Sequence, residues 1–207
     1  MAEKTVHLAV YETLADWEFG HAVAHINNPK FQRRPGRYRV RTVARTPEPI
    51  TTLGGLRITP DLTADELDPA DSAMLIMPGA GGWQRGNAVF AQAARRFLEA
   101  DVPVAAICGA TYALAREGLL NDRDHTSNAL SSLAKAKAYT GAHRYRDEPA
   151  VTDRKLITAG ATGPLEFARE IFAELDLYTP EALDAWYGFH RTGDPKLYFK
   201  LAKASAA

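Results

Sequence analysis

Residues 102–111, VPVAAICGAT, join an apolar run to a turn of small residues. The run at residues 102–107 is short and apolar, which predicts a buried strand. A helix that ends at Gly118 is expected after it. Ala106 and Ala110 flank Cys108 two positions away on either side. Small residues at these positions are typical of a nucleophile elbow, a sharp strand-to-helix turn that exposes a nucleophile.

Cys108 is the single cysteine of the chain, so no internal disulfide and no cysteine-rich zinc site can form. A lone cysteine is often an inert, buried apolar residue. At a helix N-terminus, however, free N–H groups and the helix dipole favour the thiolate. We therefore expect Cys108 to be reactive, with a buried structural cysteine in a tight turn as the alternative.

Around this stretch, short apolar segments alternate with amphipathic ones, and we find no repeat or long linker. This alternation predicts an α/β fold with a parallel sheet between two helical layers, in one domain over residues 1–207. A hairpin with a two-residue turn at Gly54-Gly55 is expected over residues 50–59. The other predicted strands are residues 6–11, 38–44, 72–77, 151–152 and 156–159, and the other predicted helices are residues 15–27, 88–100, 128–139, 162–175 and one beginning at Pro180.

The overall charge excludes some classes of partner. Lys and Arg total 25, as do Asp and Glu, so the formal net charge is zero. A non-specific nucleic-acid binder would need a basic face, and no apolar run approaches the ~20 residues that span a bilayer. The N-terminus also lacks the apolar stretch of a signal peptide. We expect a cytoplasmic protein with a small-molecule substrate, no nucleic-acid partner and no membrane association.

Two further strand ends offer partners for the thiol, because sites in such sheets form beyond the carboxyl ends of the strands. After the strand at 72–77 comes a glycine-rich run, in which the N–H of Ala80 could join that of Gly109 in an oxyanion hole. An ordinary loop is the alternative, and Trp83 beside it could line the pocket. After the first strand come Asp16 and Glu18, either of which could exchange a proton with Cys108 or simply lie on the surface.

The histidines divide into one candidate and several structural residues. His125 lies on the segment after the elbow helix and could activate the thiol, or be a solvated loop residue. His7 in a strand and His21 and His25 on a helix are expected to be structural. The aromatic C-terminal stretch from residue 178 is expected to contain a core helix, with a dimer contact as the alternative.

Four segments together resemble the ThiJ/PfpI superfamily, whose fold is that of the class I glutamine amidotransferases. They are residues 15–18 (ADWE), 75–80 (LIMPGA), 105–110 (AAICGA) and 157–168 (ITAGATGPLEFA). The resemblance covers about residues 5–175, and the ADWE and HTSN segments are similar to a bacterial subgroup labelled amidotransferase-like. It implies a flavodoxin-like three-layer sandwich, a homodimer, and no metal or organic cofactor.

The resemblance also assigns site residues. It implies Cys108 as the elbow cysteine, Glu18 as its glutamate with Asp16 as second choice, and Ala80 and Gly109 as oxyanion-hole positions. Gly109 stands where many hydrolases of the superfamily have a histidine, and no late His-x-Glu pair of the amidotransferases is present. The sequence therefore predicts a cysteine–carboxylate site.

Three functions fit this site. The first is an enzyme in which Cys108 attacks a small carbonyl or amide-like carbon, as a hydrolase, an amidotransferase-like or a glyoxalase-like enzyme, with His125 assisting. The second is a redox or stress-response sensor, because an accessible thiol beside a carboxylic acid is readily oxidised. The third is a binding or regulatory module, which the lack of a recognisable DNA-binding segment disfavours.

Overall fold

The protein is described by a computed structural model that covers residues 3–82 and 87–204. In chain order the strands are β1 (Lys4–Ala9), β2 (Tyr38–Ala44), β3 (Ile50–Thr51), β4 (Arg57–Ile58), β5 (Leu62–Thr63), β6 (Ser72–Met77), β7 (Val104–Ile107), β8 (Ala150–Asp153) and β9 (Leu156–Ala159). The helices are α1 (Asp16–Asn27), α2 (Ala88–Glu99), α3 (Gly109–Arg116), α4 (Leu130–Leu133), α5 (Pro164–Glu174), α6 (Pro180–Thr192) and α7 (Pro195–Ala204). None of these helices combines the length and hydropathy needed to cross a bilayer.

Within the described residues, one sheet has the strand order β5-β2-β1-β6-β7-β9-β8. Neighbouring strands pair in parallel, apart from β8 and β9, which form an antiparallel pair at one edge. The series β2-β1-β6-β7-β9 reproduces the 2-1-3-4-5 order of flavodoxin-like sheets. The predicted flavodoxin-like α/β fold with a mainly parallel sheet is confirmed.

Helices cover both faces of this sheet, as a parallel sheet requires. Helices α1 and α5 pack together on one face, and α2 and α3 pack together on the other, against β6 and β7. Helix α6 packs on α5, with α7 outside it. In the C-terminal stretch, Trp186 is fully buried, as a core helix requires, whereas Phe199 is 71% exposed.

The predicted helix at residues 128–139 is wrong, because only the short α4 forms there. Lys135 to Ala138 are good helix formers, but the Asn121 side chain binds the backbone at and just after Ala138. Its Nδ2 donates to the Ala138 oxygen and its Oδ1 accepts from the Thr140 N–H, both at 2.8 Å. These tertiary hydrogen bonds override the local helix propensity.

The predicted two-residue hairpin turn at Gly54-Gly55 is also wrong, although a hairpin forms. Ile50 pairs with Ile58 and Thr51 with Arg57, so residues 52–56 connect β3 to β4. The longer loop closes on Thr52, whose Oγ1 accepts from the Leu56 N–H at 3.0 Å.

Candidate active site at the Cys108 elbow

Cys108 occupies a sharp turn between β7 and α3. Its backbone has φ +58° and ψ −124°, a conformation that residues other than glycine rarely adopt. The turn is held at both ends: the Cys108 N–H donates to Ala159 O at 3.0 Å, and the Thr111 hydroxyl donates to Cys108 O at 2.6 Å. This elbow holds the half-buried thiol at the carboxyl end of the sheet.

Glu18 reaches the thiol from the first turn of α1. The loops after β1 and β6 are joined by hydrogen bonds from Ala15 N to Gly79 O at 3.0 Å and from Gly81 N to Thr13 O at 2.9 Å. This pairing brings Glu18, only 1% exposed, beside Cys108. The Glu18 Oε2 also accepts the Gly79 N–H.

Gly79 lies so close to both groups that a side chain there would force one of them to move. A Cβ at this position would lie 2.8 Å from the Cys108 Cβ, 2.9 Å from its Sγ and 2.9 Å from the Glu18 Oε2. The glycine therefore allows the backbone after β6 to pass close to both the thiol and the carboxyl group.

Asn128 is a third side chain at the thiol, and the sequence did not single it out for this role. Its Nδ2 donates to Cys108 Sγ at 3.3 Å, and its Oδ1 accepts from the Ala161 N–H at 2.8 Å. The second bond fixes the orientation of the amide, because a backbone N–H requires the oxygen. A usable signal was its place in the HTSN segment, one part of the family resemblance.

The backbone amides of Ala80 and Gly109 lie beside each other at the thiol. A Cβ on Gly109 would lie 3.9 Å from the Ala80 nitrogen, and the Gly109 N–H acts to lower the pKa of the Cys108 thiol. Within residues 3–82 and 87–204, we find no acceptor for the Ala80 N–H. Two adjacent donors of this kind can hold an oxygen that becomes negative during a reaction.

The electrostatics differ from the expectation based on the helix N-terminus alone. Burial raises the pKa of the Cys108 thiol, and an ionised Glu18 adds to this effect, while Asn128 and Gly109 lower the pKa by less. Burial likewise raises the pKa of Glu18, and the hydrogen bond from Gly79 and the neighbouring Cys108 thiol lower it by less. Two acids in contact titrate as a pair. The thiolate is therefore favoured only when Glu18 carries a proton.

Asp16 does not face the thiol but supports the β3–β4 hairpin. Its Oδ2 accepts from the Gly54 N–H at 2.7 Å. Burial acts to raise the pKa of Asp16, but hydrogen bonds from Thr52 and Gly54 outweigh it and lower the pKa, so Asp16 stays ionised. The second-choice assignment of Asp16 as proton carrier is corrected for this reason.

His125 does not contact the thiol, because its ring is buried among other residues and both of its nitrogens face away to Arg123 and Tyr139. Nδ1 donates to Arg123 O and Nε2 accepts from the Tyr139 hydroxyl, each at 2.8 Å. The ring is fully buried, with Tyr139 and Tyr145 against it. Its role is to anchor the segment that carries Asn128.

A cleft of about 500 Å³ opens beside Asn128. Asp147, Glu148 and Glu166 contribute to its lining, so it offers carboxylate oxygens as hydrogen-bond acceptors. Trp83, suggested above as a pocket wall, lies outside the described residues.

Comparison with known proteins identifies the family of the chain. Residues 4–174 match the DJ-1/PfpI family. The chain belongs to the DJ-1/PfpI family. A thiJ/pfpI family protein from Bacillus anthracis, of known crystal structure, is 38% identical, with a TM-score of 0.92 over 99% of this chain and 98% of that one.

Two relatives come from Bacillus subtilis (strain 168). One, named "Uncharacterized protease YoaZ", is 38% identical over 206 residues, which is 97% of each chain. The other, named "Uncharacterized protease YdeA", is 31% identical over 184 residues, which is 89% of each chain.

Proposed function

We propose that the protein is a cysteine-dependent hydrolase that acts on a small amide or other carbonyl compound through Cys108. The observation that carries this proposal is the closeness of the elbow thiol to the buried carboxyl of Glu18, with Gly79 packed against both groups. The names of the two Bacillus subtilis relatives, both called proteases, support hydrolysis.

In the proposed reaction, Glu18 takes the thiol proton while Cys108 Sγ bonds to the carbonyl carbon. The electrons of the C=O double bond move to its oxygen, which accepts hydrogen bonds from the N–H groups of Ala80 and Gly109. Collapse of this intermediate breaks the bond to the leaving group, which receives the proton from Glu18. Water then hydrolyses the thioester, and the thiol is restored.

The cleft beside Asn128 supports a substrate with hydrogen-bond donors. Asp147, Glu148 and Glu166 line it and can accept from the amide or amine N–H groups of a substrate that extends past Asn128, since Cys108 itself is not in the lining.

A substrate panel tests this proposal. Methylglyoxal, glutamine and peptide amides are offered to the wild-type protein and to Cys108→Ser, and product formation is followed. We expect turnover of an amide by the wild type and none by the variant. Stoichiometric consumption of peroxide by Cys108 without turnover of any substrate would contradict the proposal and favour the redox sensor.

Asn128→Ala is expected to raise the pKa of Cys108, because it removes the amide N–H that stabilises a charge on Sγ. The rate of iodoacetamide alkylation at neutral pH should fall, and its pH profile should move to higher pH. Mass spectrometry of Cys108 across a pH series measures both effects.

Asn128→Asp is the matched variant for this measurement. It keeps the oxygen that accepts from Ala161 N but replaces the donor with a negative charge, so the profile should move further in the same direction. A profile that is unchanged in both variants would show that Asn128 does not act on the thiol.

A further inference from the structure

Three histidines converge between α1 and α6, away from the contacts of the thiol. His21 and His25 are four residues apart on α1, and His190 lies on α6. One ligand nitrogen from each ring lies within 4.8 Å of the other two. The His-x-x-x-His spacing of His21 and His25 places both rings on one helix face, a pattern that the structural interpretation of these residues overlooked.

We propose that His21, His25 and His190 bind a divalent transition-metal ion such as Zn²⁺. This replaces the expectation, taken from the resemblance, that the protein has no metal. Three imidazole nitrogens at about 2.1 Å from a tetrahedral ion lie about 3.4 Å apart, so rotamer changes of roughly 1 Å close the site. The fourth position is left for water.

His190 is already oriented as a ligand. Its Nδ1 donates to Trp186 O at 2.9 Å, so the neutral ring carries its proton there and its Nε2 has a free lone pair. A backbone carbonyl in this role is the usual outer partner of a metal-bound histidine. The ring centroid of His190 is 5.4 Å from that of His21 and 5.3 Å from that of His25.

His25 has an outer partner as well. Trp186 Nε1 donates to His25 Nε2 at 3.1 Å, so Nδ1 carries the proton and donates to the Tyr178 hydroxyl at 3.2 Å. A metal ion at Nε2 replaces the Trp186 hydrogen bond and keeps the one to Tyr178. Burial lowers the pKa of His25 to about 4 and also lowers that of His21, which keeps both rings in the neutral form that ligates metals.

Zinc titration by isothermal calorimetry tests the proposal. The protein carries no affinity tag and contains Cys108→Ser, so that the thiol cannot bind the metal. We expect one Zn²⁺ per chain, and a higher unfolding temperature in its presence. Cu²⁺ is expected to quench the fluorescence of Trp186, whose ring centroid is 4.6 Å from that of His190.

His190→Ala and His21→Gln are expected to weaken Zn²⁺ binding by more than about 100-fold, because losing a ligand costs more than losing an outer partner. The second variant keeps a polar side chain of similar size, in case the first disturbs the packing of α6. His143→Ala, at an exposed histidine elsewhere, should bind like the parent protein. Absence of stoichiometric binding, or full binding by both cluster variants, would overturn the proposal.

Discussion

Glu18→Gln is expected to lower turnover of a Cys108-dependent substrate by about 10²–10⁴-fold, the usual contribution of a positioned acid–base group. Glutamine has nearly the same shape, and its Oε1 can still accept the Gly79 N–H that Glu18 binds. It cannot take a proton from the thiol or return one to the leaving group. Initial rates at saturating substrate measure the effect.

Glu12→Gln is the control for this change. Glu12 also accepts a backbone N–H, from Thr51 at 3.2 Å, but it is exposed. Its replacement therefore removes a carboxylate near the same loops without altering the thiol, and turnover should be preserved. Equal loss of turnover in both variants would contradict a specific role for Glu18.

Although Glu18→Gln is expected to lower turnover, it is expected to raise the stability of the fold at high pH. Burial raises the pKa of Glu18, so the folded protein holds this proton more tightly than the unfolded chain. The stabilisation from that proton is complete below the unfolded pKa of about 4.3 and is lost as the pH rises through the folded pKa. The variant should therefore unfold at a higher temperature than the wild type at pH 8, and the difference should vanish near pH 4.

Gly79→Ala is expected to destabilise the protein by about 1–3 kcal/mol, the cost of forcing a methyl group into a packed site. The new Cβ would contact Cys108 and the Glu18 carboxyl at less than 3.0 Å. Either the thiol or the carboxyl must move, so alkylation of Cys108 should change together with the free energy of unfolding. Urea denaturation and the alkylation rate measure the two effects.

Two comparisons make this result specific. Gly20→Ala, on α1 with no atom within 4 Å of the new Cβ, should stabilise the protein by about 0.5–1 kcal/mol. Cys108→Gly removes the Cβ and Sγ that the Gly79→Ala methyl group meets. In the double variant the cost of Gly79→Ala should therefore shrink, and strictly additive free energies would contradict the contact.

The elbow could be predicted from the sequence because its determinants are local. An apolar run, small residues around Cys108 and a following helix all lie within one short stretch. Strand β6 has the predicted bounds for the same reason: a short apolar run ends at a Pro-Gly pair. Asn128 could not be placed in this way, since its contact with Cys108 depends on how the intervening chain packs.

The choice between Asp16 and Glu18 depended on which face of α1 is buried. Two residues along a helix correspond to a rotation of about 200°, so the two carboxylates face opposite sides. Glu18, Ala22 and Ile26 are the buried residues of α1 and are spaced by four, whereas Asp16 faces the hairpin. Trp17, Phe19 and Val23 are apolar too, so the sequence left the buried face open and the packing of the helix identifies Glu18.

The central position of β1, β6 and β7 has a consequence for how the protein folds. The site joins parts of the chain that are distant in sequence: Glu18 and Gly79 are 61 residues apart, and Cys108 and Asn128 are 20 apart. Closing such loops costs chain entropy that is regained only when the parallel strands pair, so high contact order makes this step slow. The thiol therefore stays open to solvent in partly folded chains, and its protection from a thiol reagent during refolding reports the assembly of the central sheet.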